Sequence, residues 1–119
     1  MVGILIATYG DIGRSLLDTA IDLAGEPAPL ATTITLNDHQ DRAQEWRGLV
    51  AAADTVDSGD GVLLMVDMFG STSSTLALSL LADRNVEVLT GVNLAMVLRA
   101  MLNRTPNTAE GGGGGGGLG

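Results

Sequence analysis

Polar and small residues follow the most apolar run of the sequence, and their types suit the binding of an anion. Asp67 comes directly after "VLLMV" (62–66), and Gly70, Ser71 and Thr72 follow shortly after it. A carboxylate at the rim of a core is costly unless it is paired. Backbone N–H groups and hydroxyls at the start of a helix can hold a phosphate-sized anion. An acid beside such a pocket indicates a group that must be oriented while a phosphoryl group arrives or leaves.

A second set of candidate residues follows two other apolar runs of the sequence. Thr8, Tyr9 and Gly10 end an apolar run, and Asn93 lies in a short loop after another. If these runs are parallel strands, their carboxyl ends meet at one edge of the sheet, where such sheets bind ligands. A structural interpretation of Asp67 is equally open, since Asp at a strand end often caps a helix or forms an Asx turn.

The elements that must position these residues alternate along the chain. Continuous apolar runs predict strands at 4–7, 30–36, 62–66 and 86–89, and helical spacing predicts helices at 12–24, 75–82 and 94–102, with Gly25 ending the first. A further helix is predicted after the second strand, capped by Asn37 or Asp38; its inner face would comprise Ala43, Trp46, Leu49, Val50 and Ala53. This order predicts a three-layer α/β/α fold with a doubly wound, mainly parallel four-stranded sheet.

Composition narrows the possible partners. The chain has fourteen acidic residues and six basic ones, all arginines, which gives a formal charge of −8. This charge disfavours binding to nucleic acid or to an anionic membrane surface. A basic protein partner would suit this charge. With no cysteine, no apolar stretch near the ~20 residues of a membrane span and no signal-peptide pattern, we expect a cytoplasmic domain. We expect no cofactor and no metal, and the only histidine, His39, lies in the polar run "NDHQD".

Several doubly wound families lack support in these residues. The chain has no lysine, which a two-component receiver needs at its active site, and no P-loop motif. The first strand–helix turn carries only Gly10 and Gly13, which does not make a dinucleotide fingerprint.

Three sequence blocks together resemble the IIA domain of the mannose-type (mannose/fructose/sorbose) sugar phosphotransferase system. They are "GILIATYGDIGRSLLDTAIDLAGE", "GVLLMVDMFGSTSSTLAL" and "VEVLTGVNLAMVLRAM", and they extend from residue 1 to about residue 104. The resemblance implies a phosphotransferase that takes a phosphoryl group from the carrier HPr onto a histidine and passes it to a IIB protein. IIB in turn links it to a membrane permease complex.

The same resemblance assigns roles to residues of this chain. The phospho-accepting position falls on Tyr9 and the orienting acid on Asp67. The phosphate-binding loop falls on Gly70, Ser71 and Thr72, and the loop after the fourth strand falls on Gly91, Val92 and Asn93. Thr8, Gly10 and Asn93 are expected to line the site.

The chain departs from the family pattern in ways that bear on function. Tyr9 replaces the histidine, prolines of the two later loops are missing, and a glycine run replaces the usual C-terminal helix and exchanged strand. We expect a phosphotransfer-type domain over 1–106, a flexible tail or linker over 107–119 and a possible homodimer. Phosphoryl transfer is expected to be impaired, because a phenol with a pKa of ~10 is a weak acceptor.

Three origins of Tyr9 remain open on the sequence. The chain is a naturally degenerate domain that binds carriers, a histidine variant made to trap the unphosphorylated state, or a protein in which Tyr9 accepts phosphate once as a switch. Two alternative functions also remain, a non-catalytic regulatory module of the phosphotransferase system and a flavodoxin-like domain that binds a small molecule.

Overall fold

The computed structural model describes residues 1–36, 41–68 and 85–104 of the chain. Within these ranges lie four strands: β1 (Gly3–Tyr9), β2 (Ala31–Leu36), β3 (Val62–Val66) and β4 (Val86–Leu89). Three helices accompany them: α1 (Ile12–Ala24), α2 (Arg42–Val56) and α3 (Leu94–Leu102). The helix predicted at 75–82 and the tail lie outside the described residues.

The four strands form one parallel sheet in the order β2-β1-β3-β4. The chain first moves outward from β1 to β2 and then returns to the other side of β1 with β3. The order therefore reverses between β1 and β3, which is where open parallel sheets bind ligands, beyond the carboxyl ends of their strands. The predicted doubly wound sheet is confirmed.

Helices cover both faces of the sheet, and alternate residues of β1 contribute to each face. Ile4 and Ile6 pack with α1 and α3, whereas Leu5 and Ala7 pack with α2. Such alternation follows from the two-residue period of a strand. Because β1 and β3 are central and covered on both sides, their sequences are apolar at nearly every position. The result is the expected three-layer α/β/α arrangement.

Most element boundaries agree with the sequence prediction, and the differences have local reasons. β3, β4 and α3 have the predicted bounds, and α1 ends as expected at Gly25, which adopts φ 76°. β1 extends through Thr8 and Tyr9 because both pair with residues of β2. The apolar run predicted the strand only over residues 4–7, whereas the ladder also includes these two polar residues.

The start of α2 and one residue of its predicted inner face, Ala43, were predicted incorrectly. The helix begins at Arg42 after Asp41, whose carbonyl accepts from the Glu45 N–H at 3.0 Å, so neither Asn37 nor Asp38 is its N-cap. Ala43 is exposed and Glu45 is buried. At 3.6 residues per turn, Ala43 lies roughly 120° around the helix from buried Leu49. Trp46, Val50 and Ala53 pack against the core as predicted.

Candidate functional site

The carboxylate of Asp67 joins the ends of the two central strands. Ala7 and Val66 are partners in the β1–β3 ladder, so the residues that follow them emerge side by side. The Tyr9 N–H donates to Asp67 Oδ2 at 2.9 Å, and the Met68 N–H donates to Asp67 Oδ1 at 3.0 Å. Two backbone donors therefore fix this half-buried carboxylate at the point where the strand order reverses.

Thr8 positions the start of α1 against the sheet. Its side chain is fully buried, and its Oγ1 accepts from the Gly13 N–H at 2.8 Å. Asp11, the N-cap residue, makes no side-chain capping bond, so Thr8 supplies from the strand what a cap normally supplies from the helix. A Cβ at Gly13 would lie 3.0 Å from Thr8 Oγ1, so glycine permits this close approach. The amino end of α1 is thus held beside Tyr9 and Gly10.

A substitution at Thr8 tests whether its hydrogen bond with the Gly13 N–H stabilises the start of α1. Replacing Thr8 by Val keeps the shape but leaves the Gly13 N–H without its acceptor, and we expect a loss of about 1–3 kcal/mol in the free energy of unfolding. Urea denaturation would measure it. The matched control is Thr35→Val, because the exposed Oγ1 of Thr35 donates to the Gly10 carbonyl at 3.0 Å. We expect the loss of this hydrogen bond to lower the free energy of unfolding by less than about 1 kcal/mol. Equal effects of the two substitutions would contradict the assignment.

The turn at Gly10 needs a glycine. Gly10 adopts φ 58°, which is the left-handed region, and its carbonyl accepts from Thr35 of the neighbouring strand. This geometry turns the chain from β1 into α1 within two residues. The sequence placed Thr8 and Gly10 as site-lining residues; the structure shows that both build the turn that carries Tyr9.

Asn93 lies at the same edge of the sheet but has its own structural task. Its Oδ1 accepts from the Met96 N–H at 3.0 Å, which makes it the N-cap of α3. The Val92 N–H donates to the Val66 carbonyl at 2.9 Å, so this loop is bound to the end of β3 beside Asp67. This capping hydrogen bond was not predicted from the sequence, although an Asn directly before a helical apolar pattern commonly indicates an N-cap.

Other predicted site residues lie outside the described ranges. These are Gly70, Ser71 and Thr72, and His39, for which no role in the site was predicted, also lies outside those ranges. Across residues 1–36, 41–68 and 85–104, no group of three or more His, Asp or Glu side chains is placed to hold a metal ion. Over the same ranges, no helix has the length and hydropathy that crossing a membrane requires.

Sequence comparison identifies the family. Taken together, the fold and the turn at Tyr9 define an α/β protein with its candidate site at the switch point of a parallel sheet. Residues 3–111 match the family described as the fructose IIA component of the phosphotransferase system. The chain belongs to this family. No curated protein matches it at a significant level.

Solved structures agree on the fold. The mannose/sorbose-specific IIA subunit from Enterococcus faecalis is similar with a TM-score of 0.79 at 20% identity, over 97% of this chain and 86% of that one. The IIA protein associated with the fucose utilization operon of Streptococcus pneumoniae gives 0.76 at 22% identity, over 98% and 92%. Component EIIA from Streptococcus agalactiae gives 0.79 at 20%, over 97% and 89%.

Proposed function

We propose that this chain is a IIA component of a sugar phosphotransferase system that binds its carrier proteins but relays phosphate poorly. The observation that carries the proposal is the hydrogen bond from the Tyr9 N–H to Asp67 Oδ2 at 2.9 Å. Residue 9 is the position on which the resemblance places the phosphoryl acceptor, and Asp67 is the position on which it places the orienting acid. The two positions lie in direct contact at the edge where open parallel sheets commonly bind ligands.

The chemistry of the phenol argues against a relay. For Tyr9 to accept phosphate, the phosphorus–nitrogen bond of phospho-HPr must break, a bond from phosphorus to Tyr9 Oη must form, and the phenolic proton must leave. A carboxylate near a phenol disfavours the phenolate by like-charge repulsion. A tyrosine phosphate ester would also hold its phosphate more firmly than a phosphohistidine, so onward transfer to IIB would be unfavourable.

A binding role requires a surface beside Tyr9 for the carrier. Ile12, the first residue of α1, is 52% exposed. It borders an open groove of about 500 Å³ whose lining comprises Asp11, Ile12, Ser15, Leu16, Thr19 and Leu94. We propose that HPr and IIB contact this groove, with Ile12 as the apolar anchor and Asp11 as an acidic contact.

Titration of the ¹⁵N-labelled chain with unphosphorylated HPr, and separately with IIB, tests this function. We expect saturable amide shifts at residues 9–12 and 67–68, and Ile12→Ser should weaken binding about 10-fold, as loss of an interface anchor does. The matched control is Leu23→Ser, since Leu23 is 60% exposed on the same helix but lies near its other end. It should leave the affinity unchanged.

Three results separate the candidate functions. Binding without phosphate uptake supports the proposal, and rapid reversible uptake on Tyr9 would make the chain an active transferase instead. Absence of any complex with HPr or IIB would contradict both and favour the remaining alternative, a small-molecule-binding domain on the same fold.

A further inference from the structure

A second cavity lies at the opposite end of the sheet from Tyr9. It has a volume of about 470 Å³ and is bordered by the α1–β2 connection and the end of α3; its lining comprises Met1, Glu26, Pro27, Ala28, Pro29, Met101, Leu102 and Arg104. Pockets for small molecules commonly occupy about 300–1,000 Å³. Apart from Glu26 and Arg104, the side chains in this lining are apolar.

Arg104 is a buried cation whose hydrogen bonds go to neutral partners. Only 6% of the residue is exposed. Its Nε and Nη2 donate to the Val2 carbonyl at 3.3 and 3.1 Å, and Nη2 also donates to the Leu30 carbonyl at 2.9 Å. Within the described part of the chain, no carboxylate lies within 4.0 Å of the guanidinium. Burial lowers the pKa of Arg104 from its ordinary value, although the group stays charged at neutral pH.

The two remaining donors of Arg104 are not fully buried. Three of the five guanidinium N–H donors make the bonds above, which leaves the two on Nη1. No fully buried side-chain nitrogen or oxygen in the described residues lacks a partner, so Nη1 is not sealed in the core. Since Arg104 lines the cavity, we take the Nη1 donors to be accessible from it.

The wall next to Arg104 is held in place by its backbone contacts. Leu30 adopts φ 55°, which is strained for a branched side chain. Its carbonyl accepts from Arg104 Nη2 and from the Ile4 N–H, both at 2.9 Å. Strained residues persist where surrounding contacts fix them. The guanidinium and the connection before β2 are therefore arranged before any ligand enters.

We propose that this cavity binds a carboxylate attached to an apolar body. The carboxylate accepts from the Nη1 donors of Arg104 and supplies the counter-charge that the described residues do not place within 4.0 Å. The apolar body lies against Pro27, Pro29 and Met101. The apolar lining disfavours inorganic phosphate, and the carboxylate of Glu26 further disfavours a dianion.

Sodium octanoate and 1-octanol, titrated separately against the ¹⁵N-labelled chain, test this site. We expect octanoate to shift the amides of Ala28, Met101 and Leu102 in a saturable way, and 1-octanol to bind about 10-fold more weakly because it carries no charge. A dipeptide with a free carboxyl end, acetyl-alanyl-leucine, is the third probe. Its tighter binding would identify a peptide end as the natural source, whereas tighter binding of octanoate would identify a free acid.

Two sets of variants make the result decisive. Arg104→Gln should weaken octanoate about 10-fold more than it weakens 1-octanol, because only octanoate loses a charged partner, while Glu26→Gln should strengthen octanoate. If Arg104→Gln fails to fold, Leu102→Asp replaces it, because Leu102 is 65% exposed and borders the cavity. The added carboxylate should repel octanoate, whereas Leu102→Asn should not.

Equal affinity for octanoate and 1-octanol, or shifts confined to the Tyr9 end of the sheet, would overturn the assignment. A chain in which Tyr9 is changed should bind octanoate unchanged. The failure of this site is therefore separable from the failure of the proposed carrier-binding function.

Discussion

A Tyr9→His chain is expected to gain one phosphate from phospho-HPr at least ~10³-fold faster than the chain with Tyr9. A phenol with a pKa of ~10 is only about one part in 10³ phenolate at pH 7, whereas a neutral imidazole is nucleophilic at that pH. The backbone of residue 9 already contacts the carboxylate of Asp67 at 2.9 Å, so the new imidazole would stand beside an acid able to orient it. Intact mass measured over time gives the rate.

Two further variants show whether the gain depends on the site. Tyr9→Phe should take up no phosphate, which excludes transfer to another residue. Adding Asp67→Asn to the Tyr9→His chain should slow uptake about 10²-fold, in the range attributed to a positioned acid or base. If the Tyr9→His chain stays unphosphorylated, position 9 is not an acceptor position in this fold, and the assignment from the resemblance is wrong.

The largest loss of stability is expected from Gly3→Ala. Gly3 lies at the start of β1, in contact with the end of α2, and an added Cβ would lie 2.7 Å from the carbonyl carbon of Val56 and 2.9 Å from its Cγ2. Backbone cannot move aside as a flexible side chain can. We expect a loss of about 3 kcal/mol in the free energy of unfolding, which corresponds to a fall in Tm of roughly 10–15 °C.

Gly48→Ala is the matched control for this prediction. Gly48 lies inside α2, and the nearest atom to an added Cβ is Ile34 Cδ1 at 3.3 Å, the end of a side chain that can shift. Because alanine favours a helix interior by about 1 kcal/mol over glycine, we expect a neutral or stabilising effect. Calorimetry of both variants measures the difference. A similar Tm for Gly3→Ala and the unchanged chain would mean that α2 is not packed against β1 in this way.

The central strands of the sheet were predictable because each contains a continuous apolar run next to residues that commonly end strands. Val62–Val66 is apolar at every position and is bounded by Gly61 and Asp67, which specifies a central strand of that length. The start of α2 was not predictable, because "NDHQD" offers several possible N-cap residues. Only the packing of Leu49 and Val56 decides which side of the helix faces the core. Glu45 is buried because it lies on the side of α2 that this packing turns toward the core.

The candidate site was predictable in position but not in its bonds. Polar residues after apolar runs identified Tyr9, Asp67 and Asn93 at one edge, because parallel strands share that edge. The capping of α1 by Thr8 from the strand was not predictable from spacing, since it depends on the close approach that Gly13 allows. Arg104 was likewise unrecognised, because its bonds to Val2 and Leu30 join segments distant in sequence.

We propose that this family member binds its carrier proteins while Tyr9 stops the relay. The most direct measurement is intact mass of the unaltered chain after incubation with phospho-HPr, followed by addition of IIB. We expect no added phosphate on the timescale on which the Tyr9→His chain is fully phosphorylated. Gain of one phosphate by the unaltered chain, followed by its loss to IIB, would show that Tyr9 does not stop the relay.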